Sequence, residues 1–161
     1  MAKQALTLAD ISSVLEISAA QDAPALFRAV EALARRTVGF RLFTVMRNLD
    51  ATAEVERLHS SDAAAYPVGG RKRREGTRWG EPVLDRGEAF LARNRTELRE
   101  AFPDYELIFS LGVSAILNVP IRHAGRCIGT MNLCGDEGQY GEEDIATGKV
   151  LAGLLVPVIL V

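Results

Sequence analysis

The chain is poor in the residues that carry most enzyme and metal chemistry. Its 161 residues include two cysteines, two histidines and one tryptophan. Cys127 and Cys134 lie seven positions apart in one apolar stretch. If that stretch is extended, they sit roughly 23 Å apart on opposite faces of a sheet. A disulfide needs Cα atoms within about 7 Å, so none is expected. Only His59 and His123 could join them around a metal, and neither stands at ligand spacing. No Ser-His-Asp or paired-carboxylate constellation is visible, and no glycine loop resembles a phosphate cradle. Long apolar runs are missing too. "VLAGLLVPVILV" (150–161) has twelve residues and contains Pro157, short of the roughly 18 to 20 needed to span a bilayer. The N-terminal residues lack the apolar core and cleavage site of a secretion signal. The expectation is a cytoplasmic protein without cofactor, metal or membrane association.

What is present is an ordinary globular composition, 48% apolar and 25% charged. The length suits one domain (1–161) burying roughly 70% of its unfolded surface. Net charge is −2, unevenly spread. Arg71 to Arg99 holds nine basic and five acidic residues, while the rest of the chain is acidic. That argues against a nucleic-acid binder and for one basic lip on an acidic body.

Helical and extended patterns alternate along the chain. Thr7-Leu-Ala-Asp10 reads as a capping box that starts a helix within 1–21. Asp22 with Pro24 starts a second, ending near Gly39. "RLFTVMR" (41–47) and "AEVERLHSS" (53–61) read as a hairpin. From Asp62 to Gly112, Gly and Pro interrupt every pattern. A short helix near 81–86, a strand at 88–92 and helical turns around 96–102 and 104–110, the last capped by Asp104, are all that fit. A crossover of this length in a compact domain usually has a functional reason. The closing helix opens with Glu142, Glu143 and Asp144, which suits its positive dipole end.

"ILNVPIRHAGRCIGTMNL" (116–133) is the most informative stretch. Pairing His123 with Cys127 across an Ala124-Gly125-Arg126 loop puts Leu117 opposite Leu133 and Val119 opposite Met131. The other face then pairs Asn118 with Asn132 and Pro120 with Thr130. A one-residue slip would mix polar with apolar partners, so this register is the consistent one. Two buried amides side by side leave donors and acceptors unpaired at about 1–3 kcal/mol each. Either they satisfy each other in a closed core, or they face a cavity.

The order of these segments resembles a GAF domain, a small-molecule-binding regulatory module. The carrying residues are "RLFTVMR", "SDAAAYPVGGRK", the Trp79-Gly80 turn, "AILNVPI" with its Val119-Pro120 pair, "CIGTMNL" and "YGEEDIATGKVLAGLL" (140–155). The resemblance spans 22–156. It implies an α+β fold: a central antiparallel sheet of about six strands, terminal helices on one face, and an irregular crossover with short helices on the other. A ligand pocket would lie beneath the crossover. The signature of cyclic-nucleotide-binding members is only partly matched, because Asn132 lacks a following Lys and Ile145 follows Asp144. The cysteine set of the free methionine sulfoxide reductases is missing from the crossover.

The expected function is therefore a sensory or regulatory domain without catalysis of its own. The alternatives are a redox enzyme using Cys127 or Cys134 and a structural dimerisation module. The candidate ligand-binding residues are Asn118, Thr130, Asn132, Trp79, Tyr105 and Arg78. Trp79 either plugs the crossover or walls the pocket. "RKRR" (71–74) with Arg78 is either a solvated loop or an electropositive rim for an anion. The expected ligand is a small polar or anionic organic molecule. A homodimer through the terminal helices is expected as well, because apolar residues beyond Val150 surround the helix axis and would leave an exposed patch on a monomer.

Overall fold

Thr7 caps the first helix as the sequence indicates: its hydroxyl accepts from the Asp10 amide, and the Asp10 carboxylate accepts from the Thr7 amide. The computed structural model describes residues 2–160 and runs from this helix, α1 (Leu8–Ala20), into α2 (Ala23–Thr37), whose N-terminal amide is taken by Asp22. β1 (Leu42–Leu49) and β2 (Glu54–Ser60) follow, joined by a 3₁₀ turn. The crossover contributes β3 (Arg71–Arg73), a π-helical turn (Glu81–Asp85), β4 (Phe90–Ala92), α3 (Arg95–Ala101) and α4 (Tyr105–Ser110). The chain closes with β5 (Ala115–His123), β6 (Arg126–Gly135), α5 (Glu142–Leu154) and α6 (Val156–Leu160).

The six strands form one antiparallel sheet in the order β3-β2-β1-β6-β5-β4. One face packs on α1, α2, α5 and α6 through Phe43, Val45, Leu117, Val119, Ile121, Met131 and Leu133. The other lies under the crossover, with Leu42, Met46, Val55, Ile116, Cys127 and Cys134 against Trp79, Val83, Leu98, Phe102 and Ile108. Each layer buries a separate apolar cluster, and both faces of β5 and β6 are therefore inside. At Gly148 of α5 a Cβ would lie 2.9 Å from a Val119 methyl, so the helix sits closer to the sheet than an alanine would permit.

The β5–β6 register is the one the alternation demands: Leu117 faces Leu133, Asn118 faces Asn132, Val119 faces Met131 and Pro120 faces Thr130. Pairing with β4 stops at Asn118, so the missing N–H of Pro120 breaks no ladder bond on that side. The turn is different. Ala124 and Gly125 alone form it, with φ of 50° and 78°, the two-residue geometry that matches strand twist. His123 pairs with Arg126, and a bulge between Ile121 and Arg122 on the ladder absorbs Ile128.

That bulge corrects the expectation for the cysteines. An uninterrupted strand would put Cys127 and Cys134 on opposite faces, but the extra residue reverses the phase, and both lie in the crossover-side cluster. They are free thiols. A second bulge, between Val45 and Met46 on the β1–β2 ladder, acts on β2 in the same way. Arg57 shares the crossover side with Val55, whereas His59, two residues on, stacks against Phe27 on the helix side.

Two further expectations change. β3 is a real edge strand built from Arg-Lys-Arg, although nothing apolar marks it. The closing helix breaks at Leu155, and Leu151, Ala152, Leu155 and Ile159 go into the core. Among the described residues there, Val150 (42% exposed) and Leu160 (53%) are the large exposed apolar ones, a smaller patch than the sequence suggests. No helix of the described residues is long and apolar enough to cross a membrane.

Candidate ligand pocket beneath the crossover

The polar residues of β5 and β6 sit on the crossover side because the apolar ones are claimed by the helices. Asn118, Thr130 and Asn132 thereby form the floor of a cavity, beside Thr44 of β1. The roof comes from the crossover: Tyr66, Lys72, Trp79, Phe102 and Ile108, with Arg57 at the side from β2. The walls leave about 40 Å³ in which the centre of a water-sized atom can sit.

The floor is a chain of hydrogen bonds. The Asn118 amide donates to Asn132 Oδ1 at 2.7 Å, and the Asn132 amide donates to Thr44 Oγ1 at 3.1 Å. This chain satisfies the pair only in part. Asn118 Oδ1 is buried without a partner among the described residues; with both amides turned over, the unpaired group would be the Asn118 NH₂. Either way one end of Asn118 is left for something else. Neither reading of the Asn pair holds alone: the amides bond each other, and both residues also line a cavity.

Arg57 is the residue that sequence reasoning missed. It is 5% exposed, lines the cavity, and has a buried Nε with no hydrogen-bond partner. Its Nη1 donates to the Pro67 carbonyl at 3.0 Å, and its guanidinium lies 4.7 Å from the Tyr66 ring centroid. No carboxylate lies within ion-pairing distance of it among the described residues. Burial lowers its pKa, with Tyr66 and Asp104 opposing the shift, yet an arginine stays charged. The tight turn over it is fixed: a Cβ on Gly70 would lie 2.5 Å from Nη1.

Three segments of the crossover meet at Asp104. Its Oδ2 accepts from Tyr66 Oη at 2.8 Å and from Lys72 Nζ at 2.9 Å. The expected helix cap is not made: Oδ2 is committed to the roof, and Oδ1 is buried without a partner among the described residues. Burial would raise the Asp104 pKa, but Lys72 and the hydrogen bonds from Lys72 and Tyr66 outweigh it and hold it below the ordinary value. The same burial and the neighbouring carboxylate push the Tyr66 phenol up, so it is a donor at neutral pH.

Among the sequence candidates, Asn118, Thr130, Asn132 and Trp79 come together around the cavity. Tyr105 and Arg78 do not. Tyr105 packs on Phe109 with Arg99 over its ring, away from the lining. Arg78 is exposed and paired with Glu100, a consequence of the solvated outer face of the crossover. The proposed basic rim is largely neutralised in the same way: Arg71 meets Glu54, and Arg74 meets Asp50 and Asp85. Lys72 is the member of that run that reaches the cavity. No group of acidic, His or Cys side chains able to hold a metal occurs among the described residues.

A family model for the GAF domain matches residues 20–159. No curated protein matches the chain significantly. Among solved structures, the GAF domain of a phosphoenolpyruvate-protein phosphotransferase from Coxiella burnetii superposes with a TM-score of 0.75 at 18% identity, over 94% of this chain and 91% of that one. The corresponding domain from Acinetobacter gives 0.75 at 12% identity, over 95% and 92%. The GAF domain of a two-component sensor histidine kinase from Bacillus halodurans gives 0.66 at 16%, over 97% and 98%. At these identities the structural likeness speaks for the fold alone, while the family match covers most of the sequence. The chain belongs to the GAF domain family.

Proposed function

We propose that this chain is a sensory or regulatory domain that binds a small polar or anionic organic molecule in the cavity beneath the crossover and carries out no chemistry itself. The observation that carries the reading is that two residues lining one cavity, Asn118 and Arg57, each hold a deeply buried polar atom, Oδ1 and Nε, without a partner among the described residues. A closed core would pay roughly 1–3 kcal/mol for each such group, and few natural proteins keep them without a reason. GAF domains commonly serve such roles, and one similar structure belongs to a sensor histidine kinase.

The redox alternative has less support. Burial pushes the Cys127 thiol up to about 11 and Cys134 up to about 12. Both are therefore protonated at neutral pH, whereas a redox cysteine needs an exposed, electropositive setting. We also propose a homodimer through the helical layer, supported by the exposure of Leu8 (86%), Leu15 (53%) and Leu160 (53%). The test of the ligand reading is fluorescence of Trp79, the sole tryptophan, 4% exposed and part of the lining. A metabolite library should contain compounds that change its emission saturably, and Arg57→Met should abolish that response. A library that leaves the emission unchanged would count against binding.

A further inference from the structure

We infer that the pocket is built for a short-chain carboxylate carrying a hydroxyl group, a molecule of the size and polarity of a two- to four-carbon hydroxy acid. The inference rests on the cavity being a ligand pocket, and it follows from charge, hydrogen-bond inventory and volume taken together.

Charge comes first. Arg57 and Lys72 are cationic, and Asp104 is the one carboxylate near them among the described residues. Asp104 is bonded to Lys72 at 2.9 Å and acts on Arg57 from further away, so the cluster keeps one positive charge more than it has carboxylates. The complement is a monoanion; a zwitterionic amino acid would bring its own cation beside two others. Among monoanions a carboxylate matches the planar guanidinium, whose unused Nε–H can serve one of its oxygens.

The second handle is the unpaired end of Asn118, an acceptor as placed and a donor with both amides turned over, which calls for a neutral group able to play either part. A hydroxyl is such a group. The rest of the lining, with Leu42, Met46, Ile108 and Ile116, suits a few carbon atoms. Volume sets the limit. About 40 Å³ for atom centres is room for about three separate waters at the usual 10–15 Å³ each, or for a handful of covalently linked atoms. A nucleotide or a tetrapyrrole does not fit between these walls.

Four probes separate the handles: lactate, its neutral isostere lactamide, propionate, which lacks the hydroxyl, and acetate. Each is titrated at matched ionic strength against the full chain, with Trp79 emission and NMR shifts of the Asn118 and Asn132 side-chain amides as readouts. Lactate should bind at least about tenfold more tightly than lactamide, the effect of one charge-assisted hydrogen bond. It should also bind several-fold more tightly than propionate. Arg57→Gln should erase the preference for lactate over lactamide, and Asn118→Leu the preference for lactate over propionate. Equal affinity for lactamide, or no binding of any carboxylate, overturns the inference on the unaltered protein, so folding of the variants is not at issue. If neutral library compounds still move Trp79 in that case, only the ligand class is wrong. If nothing moves it, the ligand reading falls as well.

Discussion

Replacing Arg57 by Met separates a guanidinium kept for a ligand from one kept for the fold. The side chain is 5% exposed, and methionine retains most of its apolar stem. Two favourable interactions are lost. One is the hydrogen bond to the Pro67 carbonyl at 3.0 Å, worth about 1.5–3 kcal/mol with a charged donor. The other is the stacking on Tyr66 at 4.7 Å, worth about 0.5–2 kcal/mol. Against these stands the penalty of burying a cation without a carboxylate, several kcal/mol per ion even after relaxation. The terms nearly cancel. The ligand-free variant should stay within about 1 kcal/mol of the parent, a change of about 2–4 °C in Tm for a chain of this size. Urea unfolding followed by Trp79 emission and circular dichroism measures this. The parent should gain about 2.7 kcal/mol at a ligand concentration one hundred times Kd, and the variant nothing. A loss above about 3 kcal/mol without ligand would refute the reasoning, because Arg57 would then be a structural post for the Pro67–Gly70 turn.

Asp104→Asn should destabilise the protein by about 1–3 kcal/mol at neutral pH by freeing Lys72 and weakening the Tyr66 bond. Because the folded pKa of Asp104 lies below its unfolded value, that contribution is complete above the ordinary carboxylate range and fades as pH falls through the lowered pKa. Urea unfolding of both proteins between neutral and acid pH should therefore show the gap closing only in acid. Ala124→Asn should stabilise by about 0.5–1 kcal/mol, since Ala124 holds a φ of 50° that asparagine tolerates better; thermal unfolding checks it, and an unchanged Tm would argue against the turn geometry. Light scattering should report twice the 17.5 kDa chain mass at micromolar concentration, and Leu15→Glu should halve it. A clean monomer for the parent would remove the dimer.

Much of the fold is legible because alternation and capping act locally. Leu117, Val119, Met131 and Leu133 can face only one way together, and this alone sets the β5–β6 register. Thr7 and Asp22 announce their helices for the same reason. What escapes is whatever breaks a period. The bulge at Ile128 leaves no mark in composition, yet it reverses the face of Cys127. β3 is hidden because an edge strand of Arg-Lys-Arg is protected by charge instead of marked by apolar residues.

The cavity divides along the same line. Its floor follows from the hairpin pattern, and Trp79 from being a lone aromatic in a glycine-rich segment. Its cation could have been suspected, since Arg57 has the same parity as Val55 in "EVERLH" and so shares its buried face. Asp104 was less accessible. It stands where a helix cap belongs, and only tertiary structure reveals that Lys72 and Tyr66 take its carboxylate instead.

We propose above all that Arg57 and Asn118 hold a small molecule between the sheet and the crossover. The most direct measurement is a crystal structure of the protein purified without ligand-stripping steps. Electron density for a small organic molecule is expected within hydrogen-bonding distance of both Arg57 Nε and Asn118 Oδ1. Arg57 paired instead with Asp104, and Asn118 Oδ1 taken up by a protein donor, with no such density between them, would contradict it.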